Sequence, residues 1–306
     1  METTEDLETL RPRLFGLAYR MLGSRQEAED AVQEAFLRWH RTDTDGVRSA
    51  EAWLVTVVSR LCVDRLRALQ VERKYYVGPW LPEPIVSSEQ APDIALERAS
   101  DLSMALLVVL QRLSAVERAA FLMHEVFDCG YAEISAALGK SEVACRQIVH
   151  RARKRVKGDK PRFEVSSADH QQLVERYVQA VQERDVARIA ELLSPDAAFI
   201  SDGGGKTWAA LRPVIGADRI ARMEIGVLTK LPTEFRLGLA TVNGRAGILG
   251  LVGGRIHAVT SFETDGHRIL SVLRVLNPDK LRMIEAPSGP SNDVQDLKGR
   301  SHGWWN

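Results

Sequence analysis

Three glycine-containing dipeptides divide residues 234–276 into four segments of strand length. The dipeptides are Asn243-Gly244, Gly253-Gly254 and Asp265-Gly266. Each is typical of a two-residue hairpin turn of type I′, in which both central residues need a positive φ angle. Because successive hairpins place neighbouring strands side by side, we predict an antiparallel meander. Its strands are expected at 234–242, 245–252, 255–264 and 267–276.

Much of the remaining chain has helical periodicity. Apolar residues recur at helical spacing from 7 to 21, 28 to 39 and 49 to 68, and again from 94 to about 157. The last of these stretches is broken at 113–114, near 128–130 and at 139. Residues 75–92 contain four prolines, which forbid a regular helix and favour extended backbone. A helix at 167–193 and a strand at 197–201 precede the meander, so the last part is expected to be α+β.

These changes along the chain predict a multidomain protein with two all-α domains followed by an α+β domain. The expected divisions are a first domain at 1–74, a linker at 75–93, a second domain at 94–160, a third domain at 165–284 and a tail at 285–306. The tail is rich in Pro, Ser, Gly and Asp, and is predicted to lack fixed structure.

Composition excludes several classes of protein and of site. The three cysteines, Cys62, Cys129 and Cys145, are odd in number and far apart, so neither a disulfide framework nor a zinc site is indicated. We expect no metal and no cofactor. The acidic amino terminus lacks an apolar signal core, and no apolar run is long enough to span a bilayer. The chain is therefore expected to be cytoplasmic and to have no membrane partner.

A basic segment at 146–162 carries eight Lys and Arg residues against one acid, although the whole chain has a formal charge of zero. It follows a helix-turn-helix pattern at 131–155, in which Gly139 supplies the turn and Ser141 caps the second helix. Val143, Ile148 and Val149 are predicted to share the inner face of that helix. The residues expected to reach DNA are Ser141, Glu142, Arg146, Gln147, His150, Arg151 and Arg153. Such a helix can lie in the major groove, and the alternative is a surface helix with solvated charges.

At this point a family resemblance becomes specific. Residues 113–156 resemble region 4 of extracytoplasmic-function (group IV) sigma factors, which binds the promoter −35 element, and residues 15–39 resemble the start of region 2. The resemblance implies that the chain binds promoter DNA and the clamp coiled coil and flap of core RNA polymerase. The residues that it assigns to the core-polymerase contact are Asp30, Gln33, Glu34 and Phe36.

Residues 52–68 resemble the part of region 2 that melts and reads the −10 element. Residues expected there are Arg60, Asp64, Arg65 and Arg67, since capturing flipped bases and following a backbone require basic and polar side chains. Many relatives carry Asn at the position of Arg60, which implies a different −10 preference. Asp64 has the alternative of pairing with Arg60 or Arg67 along the helix. Trp53 is expected in the core.

The third domain resembles the cone-shaped α+β fold of SnoaL-like proteins, with a curved antiparallel sheet. Three motifs resemble those of the SigJ-type subgroup: WLPEP in the linker, DGGGK after the strand at 197–201 and NPDK after the meander. The resemblance implies that this domain regulates the sigma regions in cis, so no separate anti-sigma factor is expected. The residues assigned to this regulatory contact are Trp80, Leu81, Pro82, Glu83, Pro84, Asp202, Gly203, Gly204, Gly205, Lys206, Asn277, Pro278, Asp279 and Lys280.

The DGGGK segment also has the Gly-Lys-Thr order of a phosphate-binding loop, but Ile200 occupies the position where that loop needs its first glycine. We expect instead that the glycines allow close backbone approach, with Asp202 and Lys206 as anchors. The alternative is a simple glycine-rich turn. A cone can also enclose a small-molecule site. Asp202, His257 and His267 are the candidate acid or base groups, but no pair has a spacing that demands catalysis, so the chain is not expected to be an enzyme. A ligand sensor or a cyclase-like domain is the alternative function.

Overall fold

The structure is a computed structural model, and it describes residues 7–43, 46–47, 49–87, 103–159 and 165–284. The chain forms two compact units. The first contains residues 1–75 and 92–160, and the second contains residues 76–91 and 161–306. Residues 76–87, which sequence alone identifies as linker, therefore belong to the second unit. The tail predicted at 285–306 lies outside the described residues.

The first half of the helical unit contains α1 (Arg11–Leu22), α2 (Arg25–Arg41) and α3 (Ala50–Glu72), followed by a 3-10 turn at Arg73–Tyr75. Gly23 ends α1 with a left-handed φ of 70°, and the side chain of Ser24 then caps α2. Ser49 caps α3 in the same way. The apolar faces of these helices pack together, as their periodicity predicts.

The second half contains α4 (Met104–Leu110), α5 (Ala115–Glu125), α6 (Tyr131–Leu138) and α7 (Glu142–Asp159). Ser114 and Glu117 form a reciprocal capping box at the start of α5. Gly139 ends α6 with a φ of 62°, which makes the tight turn of the predicted helix-turn-helix. The helix breaks lie where the sequence predicts them, and residues 94–102 are outside the described part.

The second unit is built on one seven-stranded sheet, in the order β1-β4-β5-β6-β7-β2-β3. Its strands are β1 (Val86–Ser87), β2 (Leu193–Asp202), β3 (Val214–Ile215), β4 (Phe235–Val242), β5 (Arg245–Val252), β6 (Arg255–Thr264) and β7 (Ile269–Val275). The predicted meander is confirmed in β4 to β7, and both residues of its first two turns have positive φ angles. The third turn is not the predicted two-residue type I′ turn, because β6 ends at Thr264, β7 begins at Ile269 rather than at 267, and φ is positive at Gly266 but not at Asp265. The sheet is mixed rather than wholly antiparallel, because β2 pairs with β7 in parallel. β1 comes from the linker and pairs with β4, with Val86 opposite Val242.

Four helices accompany this sheet among the described residues: α8 (Ser167–Gln182), α9 (Val186–Leu192), α10 (Ala217–Leu228) and α11 (Pro278–Leu281). The single helix predicted at 167–193 is therefore wrong in one respect. The chain breaks at Arg184, whose φ is 57°, and Asp185 starts a new helix by capping the amide of Arg188. Apolar residues of the helices, such as Tyr177, pack against sheet residues such as Phe262 to form the core.

Candidate functional site

The second helix of the helix-turn-helix, α7, is held by a buried apolar face. Cys145, Ile148, Val149 and Ala152 on this helix are buried, and the hydroxyl of Ser141 accepts a hydrogen bond from the amide of Ala144 at 3.2 Å. The prediction that Val143 lies on this face is wrong, because Val143 is 64% exposed. One residue separates Val143 from Cys145, which at 100° per residue puts the two side chains on different faces.

The outer face of α7 presents the predicted DNA-binding side chains to solvent. Glu142, Gln147 and His150 are exposed, and Gln147 and His150 line an open groove with Arg146 and Arg151. The Arg146 guanidinium lies 3.6 Å from Glu142 in an exposed pair, and 5.3 Å from the centre of the Tyr131 ring. Exposed pairs of this kind are weak, so both side chains are available to a partner.

Arg153 differs from the other predicted DNA-binding residues. Its guanidinium bonds the carboxylate of Glu125 on α5 at 2.6 Å, and this partner raises the pKa of Arg153. Arg153 therefore helps to fix α7 on α5 in this structure. It reaches DNA only if the bond to Glu125 opens.

The residues assigned to core polymerase lie on α2. Asp30 and Gln33 are exposed, and Glu34 pairs with Arg38 at 2.7 Å. Their spacing of three and four residues places them on one side of the helix. Phe36 is instead buried, with the Arg11 guanidinium 5.4 Å from its ring centre. The aromatic residue of the motif therefore belongs to the packing of the unit.

The four residues assigned to the −10 element lie on α3, and all of them have partners within the unit. Arg60 donates to the carbonyls of Ala136 and Ala137 at the end of α6, at 2.5 and 2.8 Å. Arg65 forms a bidentate pair with Glu27, at 2.5 and 2.6 Å, and hydrogen bonding to Glu27 raises its pKa.

Arg67 and Asp64 form an exposed pair at 3.3 Å, as the alternative reading of Asp64 expects. Trp53 is only partly buried, and it packs edge-on against Trp39 at 5.2 Å. The prediction that Trp53 lies in the core is therefore wrong, because its side chain is only partly buried.

A buried arginine missed by sequence reasoning also joins the two halves of this unit. Arg118 on α5 is 2% exposed, and it donates to the carbonyl of Met21 at the end of α1 at 2.7 Å. Burial, helped by the charge of Arg73, lowers the pKa of Arg118 to about 9. The feature of the sequence that could have indicated this burial is a basic residue inside an apolar helical stretch. Arg60 and Arg118 thus each bind the carbonyl end of a helix from the opposite half.

The Asp202 cluster, which we define as Tyr76, Leu81, Asp202, Asn277 and Lys280, joins the three subgroup motifs. Asp202 ends β2 and is 0% exposed. Its carboxylate accepts from the hydroxyl of Tyr76 at 2.5 Å, the amide of Leu81 at 2.8 Å and the ammonium of Lys280 at 2.6 Å. The linker is therefore bound by a buried charge pair.

The NPDK motif completes this cluster. Asn277 caps α11 by accepting from the amide of Asp279 at 3.1 Å, and its amide group donates to the Tyr76 hydroxyl at 2.8 Å. Lys280 also donates to the carbonyl of Leu81 and lies 3.9 Å from the centre of a Trp80 ring, a cation–π contact. Burial and the nearby Asp202 raise the pKa of Tyr76. Sequence reasoning missed Tyr76, although it lies only four residues before Trp80 of the WLPEP motif.

The glycines of DGGGK permit close backbone approach, as expected from the sequence. A Cβ at Gly203 would lie 2.6 Å from the carbonyl oxygen of Thr207, and one at Gly204 would overlap the Asn277 amide. Gly204 and Gly205 also have positive φ angles of 59° and 69°. Lys206 is not part of the buried cluster. It pairs with Asp279 at 2.5 Å on the surface.

The remaining residues assigned to the regulatory contact have the following positions. Pro82, Glu83 and Pro84 are buried, and Pro278 is exposed. Further along the linker, the backbone amide of Asn243 donates to the carbonyl of Ile85 at 2.8 Å, and the amide of Ile85 donates to the side-chain Oδ1 of Asn243 at 3.1 Å. Asn243 was predicted only as a hairpin residue, so its second role, holding the linker, was missed.

The candidate acid and base groups are not brought together. Asp202 is bound to the linker, His257 lines a cavity and His267 is exposed at a turn. Within the described ranges, no group of three His, Cys, Asp or Glu side chains is placed to hold a metal ion. Among the described helices, none has the length and hydropathy of a transmembrane span.

Comparison with known proteins identifies both halves of the helical unit. Residues 7–71 match the family described as Sigma-70 region 2, and residues 103–156 match Sigma-70, region 4. The sigma factor SigJ of Mycobacterium tuberculosis is 39% identical over 293 residues, which are 92% of this chain and 93% of SigJ. The probable sigma factor SigI of the same species is 28% identical over 281 residues, 91% and 94% of the two chains.

A crystal structure of the Mycobacterium tuberculosis SigJ covers 92% of this chain and 98% of that chain, with a TM-score of 0.74 and 35% identity. The sequence similarity to SigJ and the structural similarity to SigJ each cover the α+β unit as well as the helical one. Sigma factors are non-enzymatic proteins of transcription initiation. With regions 2 and 4 in order, an exposed helix-turn-helix face and full-length similarity, the chain belongs to the extracytoplasmic-function sigma factors and carries a SnoaL-like C-terminal domain.

Proposed function

We propose that this sigma factor reads the −35 element with the exposed face of α7. Arg146 and Gln147 are the best-placed readers, because Arg bonds guanine and Gln bonds adenine bidentately in the major groove. His150 and Arg151 lie on the same groove. Arg151 suits a phosphate, while Ser141 and Glu142 lie at the start of the helix. Phosphate contacts fix the register, and the base contacts supply the sequence preference.

Region 2 is proposed to bind core polymerase through Asp30, Gln33 and Glu34 on α2. The proposed −10 contacts on α3 need a change in the helical unit. Arg60 and Arg65 now bond Ala136, Ala137 and Glu27, so binding to a separated strand requires these bonds to open. The protein acts in the cytoplasm, where the polymerase and the promoter are.

The SnoaL-like domain is proposed to regulate this activity in cis by binding the segment between regions 2 and 4. The observation that carries this proposal is the buried Asp202 carboxylate, which bonds both a side chain and the backbone of that segment. A bound linker restricts the positions that the two sigma regions can take on the polymerase. The domain therefore performs a task that other members of the family leave to a separate anti-sigma protein.

In vitro transcription with core polymerase tests this proposal in the full-length chain. Asp202→Asn keeps the shape of the side chain but removes the charge that pairs with Lys280, so it should weaken the linker contact and change the yield of transcript. Lys206→Ala is the matched control, because its surface pair with Asp279 contributes little. We expect the transcript yield of Asp202→Asn to differ from that of the wild type, and the yield of Lys206→Ala to equal it. All three proteins should bind core polymerase equally. Equal transcript from all three proteins would contradict regulation through this cluster.

A further inference from the structure

The side chain of Tyr131 contacts both α5 and α7. Tyr131 is the first residue of α6 and is partly buried. The guanidinium of Arg146 on α7 lies 5.3 Å from the centre of its ring, and the ring of His124 on α5 lies 4.7 Å from that centre. Tyr131 therefore connects a proposed base reader with a helix that precedes the helix-turn-helix.

His124 fixes the position of the Tyr131 ring by a hydrogen bond as well as by ring contact. Nδ1 of His124 lies 3.2 Å from the carbonyl oxygen of Cys129, and Nε2 lies 3.2 Å from the Tyr131 hydroxyl. A carbonyl can only accept, and a neutral imidazole carries one N–H. It follows that Nδ1 donates to Cys129 and that Nε2 accepts from the hydroxyl. Both nitrogens of the imidazole are thus bonded, and Tyr131 has a fixed partner on α5.

Arg146 is held without losing the hydrogen-bond donors that it needs for a base. The ring face of Tyr131 attracts the charge of the guanidinium but offers no lone pair, so the N–H donors remain available to guanine. The contact of Arg146 with Glu142 is an exposed pair at 3.6 Å, and the Arg146 side chain is 61% exposed. Arg153 on the same helix instead donates to the Glu125 carboxylate at 2.6 Å. Arg146 therefore combines a restrained position with donors available to DNA.

A restrained arginine binds a base at a lower entropic cost than a freely moving one. The long side chain loses rotamer freedom when it bonds a base edge, and a contact that restricts it beforehand reduces this loss. The restriction also favours one direction of the guanidinium, and bidentate bonding to guanine requires a particular direction. The contact with Tyr131 contributes to both effects.

We propose that Tyr131 is a positioning residue for −35 recognition, which holds the Arg146 guanidinium in the orientation that bonds guanine. His124 in turn holds the Tyr131 ring through the hydroxyl. Tyr131 itself reads no base, because it acts through Arg146. This inference rests on the proposed reading of the −35 element by α7, and it adds a residue from the first helix of the motif to those that determine specificity.

Holoenzyme assembled from core polymerase and the full-length chain tests this role, by its affinity for a promoter that it transcribes and for single-base −35 variants of that promoter. The base pair read by Arg146 is the one whose replacement weakens binding of the wild type but not of Arg146→Ala. The pair read by Gln147 is identified in the same way with Gln147→Ala. Tyr131→Leu should lose roughly two- to fivefold of the discrimination at the Arg146 pair, which corresponds to one exposed cation–π contact. Discrimination at the Gln147 pair should be unchanged, and it serves as the control for an intact motif.

Two further variants separate positioning from a merely structural role. Tyr131→Phe keeps the ring face and should discriminate as the wild type does. The double variant of Tyr131→Leu and Arg146→Ala should bind as tightly as Arg146→Ala alone, because the effect of Tyr131 passes through Arg146.

Several results would overturn the proposal while leaving the reading by α7 intact. They are unchanged discrimination in Tyr131→Leu, an equal loss at both base pairs, a loss in Tyr131→Phe as large as in Tyr131→Leu, and weaker binding of the double variant than of Arg146→Ala. If Arg146→Ala itself retains every base preference, the proposed reading by Arg146 fails, and this inference fails with it.

Discussion

Replacing Asp202 by alanine tests how firmly the SnoaL-like domain holds the linker. The change removes the acceptor of hydrogen bonds from Tyr76, Leu81 and Lys280. It also leaves the Lys280 ammonium without its carboxylate. Removing one partner of a buried ion pair costs about 3–5 kcal/mol, because the remaining charge stays desolvated.

The lower end of that range applies here. Lys280 keeps the carbonyl of Leu81, and its side chain retains 11% exposure, so some solvent still reaches it. We therefore expect the free energy of opening the linker to fall by about 3 kcal/mol, which is roughly a hundredfold in the opening equilibrium. Lys206→Ala in the same loop breaks an exposed pair and should cost at most about 1 kcal/mol.

Hydrogen exchange at the Leu81 amide measures this opening directly, since that amide donates to Asp202. Exchange should become roughly a hundredfold faster in Asp202→Ala and change by less than about fivefold in Lys206→Ala. Amides in the centre of β6 serve as the internal reference for global unfolding. Unchanged protection of Leu81 in Asp202→Ala, with normal protection of β6, would refute the claim that this carboxylate holds the linker.

Three further predictions concern other parts of the molecule. Arg146→Ala and Gln147→Ala should each weaken −35 binding by about 1–3 kcal/mol in a footprinting titration, and wild-type affinity should fall as roughly the 4.5 power of salt concentration if about five phosphates are neutralised. An unchanged footprint in both variants would contradict the assignment of α7. Burial lowers the pKa of His170 in the folded state, so the unfolded chain binds more protons and stability should decrease as pH falls below about 6.5. In His170→Gln the free energy of unfolding should depend less on pH below about 6.5. An equally steep decrease in the variant would exclude His170 as the source of this pH dependence. Burial raises the pKa of Cys129 to about 11, so iodoacetamide at pH 8 should modify it far more slowly in native than in denatured protein, as mass spectrometry of the labelled peptide would show.

Local chemistry made much of the secondary structure predictable. Asn243-Gly244 and Gly253-Gly254 form the predicted tight turns, the connection at Asp265-Gly266 is longer, and the four strands formed in the predicted order. Gly139 and the capping serines likewise marked helix boundaries, because left-handed φ angles and side-chain caps depend on single residues. The exception at Arg184, a left-handed residue that is not glycine, carries no such signal.

Contacts between distant segments were not predictable in the same way. The sequence assigned Arg60 to the −10 contact but did not indicate that α6 ends beside it. The burial of Arg118 likewise depends on the end of α1. The ion pair of Glu224 and Arg274 joins α10 to β7, which are separated in the chain by β4, β5 and β6. Such pairings depend on packing between elements, which the pattern within one element does not encode.

By itself, the sequence determined the family, the order of helical and α+β parts and the outward face of α7, because local backbone geometry and side-chain periodicity govern these features. It also contained the three motifs WLPEP, DGGGK and NPDK. Only the tertiary structure decided that Asp202, Asn277 and Lys280 meet Tyr76 and Leu81 around one buried carboxylate. The physical reason is that a buried charge must be satisfied by whatever donors the fold brings near it, and these donors come from segments more than a hundred residues apart.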